Sequence, residues 1–549
     1  MIKKIILAFA FLLSFVASYA CTNFLAGKNA TVDGSTLISY NADSYLLFGA
    51  LYHYPAANYP AGAMLDIREW DTGKYLGKIS QVEHTYNVIG NINEHQLAIG
   101  ETTFGGREEL VDSTGIMDYG SLIYITLQRA KSAREAISVM TDLVEEYGYY
   151  SEGESFSIAD PDEVWIMEMV GKGAGNKGAL WVAMRIPDDC VSGHANQARI
   201  TTFPLEDKSN CLYSPDVIAF AREKGWFSGK NKDFSFSDTY APLDYSGLRI
   251  CEARVWSIFR KLNPEMERYI SYVKGETSER MPLWVQPTQK VSAQDFKTFM
   301  RDMFEGTEFD MLQGVLAGPF KTKLRHSPLT YKIDTVEYIH ERPIATQQTG
   351  FTFVAQMRSW LPAYIGGILW FGVDDAASCL YVPVYCCTDK VPLCYDERNG
   401  SLLEYSATSA FWIYNAVANF AYSKYSFMMP EIVKVQKKWE TDFNNLIPAI
   451  DKVALELGEP EARQFLTSFS NTQAENSTAA WKKLGEYLLV KYMDGNVKRE
   501  SSDGKFTQNE FHIPPGIIRP GYPQEYLKTI ENQLQNLRYK SQEEINAAE

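Results

Sequence analysis

The sequence predicts an α+β fold, with helices layered outside two sheets in an αββα arrangement and a helical region appended at the C-terminus. Three observations predict it. Short strand-like runs separated by turn residues dominate from Thr22 onward. Helical periodicity interrupts them between Leu122 and Tyr147, and beyond Pro430 the chain turns to long, charged, helical patterning. The expected divisions are 1–20 as a leader, 21–425 as the sheet-bearing domain and 426–549 as the helical region with a polar tail.

The leader comes first. Lys3 and Lys4 precede an apolar run from Ile5 to Val16, and Ala17-Ser18-Tyr19-Ala20 offers small residues at positions −3 and −1 before Cys21. That layout is a secretory signal peptide. The run falls short of the ~20 apolar residues of a membrane span, as does Tyr364 to Val373 with its three glycines. The mature chain is therefore expected to be exported, periplasmic or extracellular, with no membrane span.

Thr22 to Gly27 and Ser35 to Tyr40 read as a hairpin about the turn Thr31-Val32-Asp33-Gly34. Tyr86 to Asn91 and Leu97 to Phe104 read as two further strands joined through Asn93-Glu94. The helical stretch places Leu127, Ala130, Ala133, Ile137, Met140 and Val144 on one face and stops at Gly148. Ser132 and Glu135 have capping-box spacing, which predicts two helices with a break near Lys131. Glu163 to Val170 and Ala179 to Ile186 flank Gly173-Ala-Gly-Asn-Lys-Gly178. That turn matches G-x-G-x-x-G by letter but leads into a strand, so it reads as a hairpin loop rather than a dinucleotide site. Strands follow at Phe351 to Gln356, Gly367 to Val373 and Leu380 to Val384; helices follow at Glu431 to Leu457, Pro460 to Phe469 and Ala474 to Tyr492. The tail from Lys540 to Glu549 is expected to fray.

Composition bounds the function. With 45% hydrophobic and 22% charged residues the chain is an ordinary globular protein. Its formal charge of −15, without a basic stripe, argues against nucleic-acid binding. With Cys21 set aside, seven cysteines remain: Cys190, Cys211, Cys251, Cys379, Cys386, Cys387 and Cys394. An odd number leaves at least one thiol free or paired between molecules. The last four lack a paired C-x-x-C, which disfavours zinc. Asp374-Asp375 and Asp188-Asp189 read as solvated turns rather than calcium ligands. There is no G-x-S-x-G elbow, H-E-x-x-H motif or P-loop. No cofactor or metal is expected, and oligomeric state is not legible.

Cys21 carries the chemistry. An N-terminal cysteine offers a thiol with a pKa near 8.5 and an α-amine near 7.7 to 8.0 that can take the thiol proton without a histidine. A lipoprotein anchor would also put a cysteine directly after the leader, although Ser18 and Tyr19 fit a lipobox poorly. A purely structural cysteine could stand there as well.

Four blocks bear on the choice. Cys21-Thr22 is followed by Asp33-Gly34-Ser35-Thr36 and Asn41-Ala42-Asp43-Ser44; then come Asn93-Glu94-His95-Gln96-Leu97-Ala98-Ile99-Gly100, Arg185-Ile186-Pro187-Asp188, and His194-Ala195-Asn196-Gln197-Ala198-Arg199-Ile200. Their order resembles the dipeptidase A-type cysteine peptidases, a family of the N-terminal-nucleophile hydrolase superfamily beside penicillin V acylases and bile salt hydrolases. The resemblance covers Cys21 to Asn263 well and reaches Tyr385 more weakly. It implies a four-layer αββα N-terminal-nucleophile sandwich and a Cys21 nucleophile that hydrolyses dipeptides or similar small amides through a thioester acyl-enzyme. It further implies that Asp43 holds the α-amine and Asn196 serves the oxyanion hole, with a backbone N–H near Phe104 as second donor. Arg254, with Arg249 as competitor, would favour the thiolate. The bland alternatives are a turn aspartate, a loop asparagine, a helix arginine and, for His194, a packed histidine. Where many relatives have Arg-Asn, this chain has Tyr40-Asn41, so thiol activation falls to Arg199, Arg254 or the amine itself. A non-peptide acylase and a lipid-anchored binding protein remain the rival functions.

Overall fold

The computed structural model describes residues 21–324 and 329–533, so the leader and the polar tail lie outside the described residues. Two antiparallel sheets organise the chain. The seven-stranded sheet runs in the order Trp284–Val285, Val191–His194, Thr22–Ala26, Thr36–Asp43, Thr349–Met357, Gly367–Val373 and Val382–Tyr385. The eight-stranded sheet runs Cys211–Tyr213, Ala179–Arg185, Val164–Gly171, Gly153–Ala159, Ala98–Gly105, Ile92–Asn93, Val88–Ile89 and His53–Tyr54. Mixed helix and antiparallel sheet agree with the expected α+β class.

The first hairpin forms the centre of the seven-stranded sheet, with Thr22 opposite Asn41 and Ala26 opposite Leu37. Every residue of Thr22–Ala26 and Thr36–Asp43 is buried, because both faces of this sheet are covered. The two sheets meet closely at Gly100: a Cβ there would stand 2.9 Å from Asn23 Nδ2 and 3.4 Å from Tyr40 Cβ. A side chain at this position would force the sheets apart.

The helix break is present. Tyr119–Leu127 ends before Ala133–Tyr147 begins, and the Ser132 hydroxyl accepts from the Glu135 N–H at 3.3 Å. Glu135 in turn accepts the Lys131 N–H at 2.7 Å. The six expected apolar positions are all buried, and Gly148 ends the helix at φ +79°. The glycine-rich turn is a hairpin loop, with Gly171 opposite Ala179.

Two expectations need correction. Tyr86 to Asn91 is not one strand: the chain pairs only at Val88–Ile89 and Ile92–Asn93, turning at Gly90 with φ +54°. The two C-terminal helices expected after Pro460 are one, Glu459–Tyr492. Their polar junction does not break it, because buried Ser470 accepts the Tyr385 N–H at 3.1 Å. Glu459–Tyr492 packs beside Tyr425–Leu457 and against the outer strand Val382–Tyr385. Trp481 stacks on Tyr414 at 4.8 Å. Asp451 meets the Arg358 guanidinium at 2.5 and 3.2 Å. Among the described residues no helix is long and apolar enough to cross a membrane.

Candidate active site

Cys21 stands immediately before the Thr22–Ala26 strand and is 5% exposed. Its sulfur lies 3.6 Å from Tyr40 Oη and 3.8 Å from Glu101 Oε1. Tyr40 comes from the partner strand of the hairpin and donates its hydroxyl to Glu101 Oε1. Glu101 comes from the facing sheet, where Gly100 permits the approach. Burial pushes the Cys21 thiol well up, and the carboxylates of Glu101 and Asp43 push it further. The Asp43 backbone N–H and the Tyr40 hydroxyl pull the other way. The resting state of this sulfur is therefore the thiol, and it needs a base beside it to react.

The predicted helpers gather on the backbone of Cys21. Arg254, fully buried, donates from Nη1 to the Cys21 carbonyl at 2.6 Å and to Thr22 Oγ1 at 2.7 Å. Its Nη2 donates to Asn196 Oδ1 at 2.9 Å and to the Ala195 carbonyl at 3.1 Å. Asn196 Nδ2 donates to the Thr103 carbonyl at 2.6 Å, and its backbone holds φ +59°, a conformation Asn tolerates better than most residues. Asp43 is 1% exposed; Arg342 Nη2 reaches it at 2.8 Å and Thr349 Oγ1 at 2.6 Å. Burial still holds its carboxyl above the ordinary value against those two partners. The structure thus joins Cys21, Arg254 and Asn196 in one hydrogen-bonded chain, and brings Asp43 to Cys21 through its backbone. Phe104 sits at the bulge between Thr103 and Gly105, where re-aimed backbone is common near active sites.

A cavity of about 250 Å³ opens on Cys21. Tyr52, Trp70, Tyr124 and Phe351 form an aromatic wall, with Trp70 stacked on Tyr124 at 4.8 Å and Tyr52 edge-on to Trp70 at 4.8 Å. Asp43, Asp71 and Glu101 line the same cavity, and among the described residues no lysine or arginine does. Glu101 faces Glu154, itself held by Thr103 Oγ1 at 2.7 Å. Burial raises both carboxyls, Glu101 to about 7 and Glu154 well above its ordinary value. Among the described residues, Glu101 Oε2 and Glu154 Oε2 meet no donor. At the exposed mouth, Asp71 accepts from Tyr119 Oη at 3.0 Å.

Glu101, Glu154, Asp71 and Arg342 escaped sequence reasoning. One signal existed: AIGETTFG and GESFSIA are buried strands each carrying a single glutamate, and a lone carboxylate in such a strand needs a reason. Other named residues have structural partners. His194 is wedged between Thr102 Oγ1 at 2.7 Å and Ser157 Oγ at 2.8 Å, and burial lowers it to about 3, so it stays neutral. Arg199 binds Glu252 at 2.9 Å and the carbonyls of Gly193 and Pro282, both at 2.8 Å. Arg249 pairs with Glu341 over the ring of Phe309. Asp374 and Asp375 are not a solvated turn. Both are buried, Asp375 against Lys323 and the Tyr422 hydroxyl. All eight cysteines are buried free thiols.

The chain is similar to known proteins. A probable dipeptidase of Latilactobacillus sakei is 25% identical over 491 residues, covering 86% of this chain and 95% of that protein. A probable dipeptidase of Salmonella dublin is 27% identical over 386 residues, covering 67% of this chain and 81% of that protein. A dipeptidase of Bifidobacterium longum is 23% identical over 496 residues, covering 83% and 87%. The model of peptidase family C69 matches residues 20–52 and 46–438. That match takes in Cys21, Asp43, Asn196 and Arg254 and spans well over half of the sequence, so the chain belongs to peptidase family C69, the dipeptidase A-type cysteine peptidases.

Proposed function

We propose that the protein is an exported dipeptidase on a four-layer αββα N-terminal-nucleophile sandwich, with residues 426–549 as an appended helical region. Signal-peptide removal frees the Cys21 amine, and Cys21 hydrolyses dipeptides through a thioester acyl-enzyme. The observation that carries the reading is the Cys21 sulfur, buried yet opening onto the cavity, within a family match that begins one residue earlier. The names of the relatives supply the substrate class. A sulfur enclosed beside Tyr40 and Glu101 is also poorly placed to carry a lipid to a membrane.

The steps follow from the raised thiol. The neutral α-amine takes the thiol proton, and sulfur adds to the peptide carbonyl carbon while the carbonyl π pair moves to oxygen. Asn196 Nδ2, which has a second hydrogen beyond the one given to Thr103, is assigned to that oxygen. The tetrahedral centre collapses to a thioester as the C–N bond breaks, and the departing amine takes the proton from the Cys21 ammonium. Water then adds, giving its proton to the same amine, and collapse expels sulfur, which is reprotonated. Arg254 acts as a positioning residue, fixing the Cys21 carbonyl and the Asn196 amide together.

The test is a dipeptide assay on the chain beginning at Cys21. Cys21→Ala should abolish turnover with the melting temperature kept, and Cys21→Ser should retain only a small fraction. Full activity in Cys21→Ala, or a diacylglyceryl group on Cys21 from the native host, would sink the proposal.

A further inference from the structure

The acidic and aromatic lining of the cavity has a chemical reading that goes further. We propose that Glu101 is the anchor for the free α-ammonium group of the substrate, with Asp71 reinforcing it at the mouth and the aromatic wall receiving an apolar N-terminal side chain. The inference rests on Cys21 being the nucleophile of a small-amide hydrolase. It adds which side chains of this chain recognise the unblocked amine.

Distance decides it. In an α-aminoacyl group the nitrogen lies roughly 2.5 Å from the carbonyl carbon, two bonds away. That carbon must come within about 3 to 3.5 Å of sulfur to be attacked. A counter-charge for the ammonium must therefore stand within a few ångströms of the thiol. Glu101 Oε1 stands 3.8 Å from it. A second observation is the charge imbalance. Among the described residues the cavity is lined by Asp43, Asp71 and Glu101 but by no lysine or arginine, and of the three only Asp43 has its own side-chain cation, Arg342. Glu101 faces a further carboxyl, Glu154, and its Oε2 meets no donor among the described residues. Two buried carboxyls with no side-chain cation beside them, and with a Cys21 amine that must be neutral to act as base, gain stability when something positive arrives. An incoming ammonium can donate to the unpartnered Glu101 Oε2.

The wall fits the rest of such a substrate. Tyr52, Trp70, Tyr124 and Phe351 present flat apolar surface within the same cavity, suited to a leucine- or phenylalanine-sized side chain. An acylated amine brings no positive charge and adds bulk where the carboxylates sit.

The experiment compares leucyl-glycine with 4-methylpentanoyl-glycine, the same molecule without its amine, and with N-acetyl-leucyl-glycine. The expected kcat/KM preference of the wild type for leucyl-glycine is about 100-fold or more, from loss of a charge-assisted hydrogen bond to a buried carboxylate. Glu101→Gln should collapse that preference to within about tenfold by lowering the rate on leucyl-glycine alone, and Asp71→Asn should narrow it less. Equal hydrolysis of amino and des-amino substrates by the wild type would overturn the inference and leave the amide-hydrolase reading standing. Parallel losses on both substrates in Glu101→Gln would overturn it too, since Glu101 would then act on the thiol or on the Cys21 amine. Failure of the wild type to cleave any of the three would bring down the hydrolase reading itself.

Discussion

Replacing Glu101 by Gln is expected to stabilise the protein at pH 8 and leave it nearly unchanged at pH 5. Burial raises this carboxyl from 4.5 to about 7 in the folded chain, while the unfolded chain titrates it near 4.3. Between those values the folded chain holds a proton that the unfolded chain releases. The stability associated with that proton is fully present below the unfolded value and is lost as pH rises through about 7. Raised that far, the Glu101–Glu154 pair gives up on the order of 3 kcal/mol by pH 8. Gln carries no charge at either pH, accepts from Tyr40 as Glu101 does, and can donate to Glu154. Glu154, Tyr40 and Cys21, each pushed up by the charge of Glu101, relax toward their ordinary values in the variant. At about 2 cal/mol/K per residue, a chain of this length moves roughly 1 °C per kcal/mol. Scanning fluorimetry should therefore place the variant about 3 °C above wild type at pH 8 and within about 1 °C at pH 5. Equal shifts at both pH values, or a lower melting temperature at pH 8, would refute the assignment of Glu101 as a buried, uncompensated carboxylate.

Two further substitutions probe the hydrogen-bonded chain around Cys21. Asn196→Ala should lower kcat by about 10²–10³ through loss of an oxyanion donor; steady-state kinetics with unchanged kcat would remove that role. Arg342→Met should cost about 3–5 kcal/mol, because it strands the buried Asp43 carboxylate. That is several degrees in the same melting assay, and a loss below about 1 °C would show that Asp43 finds another partner.

What was legible in the sequence depended on how locally each feature is determined. The Ser132 cap, the Gly148 stop and the Gly173–Gly178 loop are set by neighbours within a few residues, and the structure has each. Cys21 and Asn196 were singled out because their blocks carry a family's order, and Arg254 because its helix resembles one that carries a family arginine, not because any pattern tied them together. Glu101 and Arg342 reach the site from positions 80 residues from Cys21 and 299 from Asp43. Only sheet packing at Gly100 and pairing of Thr349–Met357 with Thr36–Asp43 bring them in. The errors have the same root. Ser470 looks like a helix breaker until the backbone of Tyr385 arrives to use its hydroxyl.

The Arg358–Asp451 pair gives the C-terminal helices a meaning that composition hides. Arg358 follows the strand Thr349–Met357, which lies directly beside Thr36–Asp43, and its guanidinium is buried at 5% exposure. Its counter-charge is a residue of the helix Tyr425–Leu457, and Tyr385 Oη shares the same carboxylate at 2.7 Å. A chain cut at residue 425 would keep every side chain that touches Cys21 and lose the charge that keeps Arg358 indoors. The helices thus serve as a keystone for the sheet. Trimming them should fail in the refolding tube before it fails in the assay.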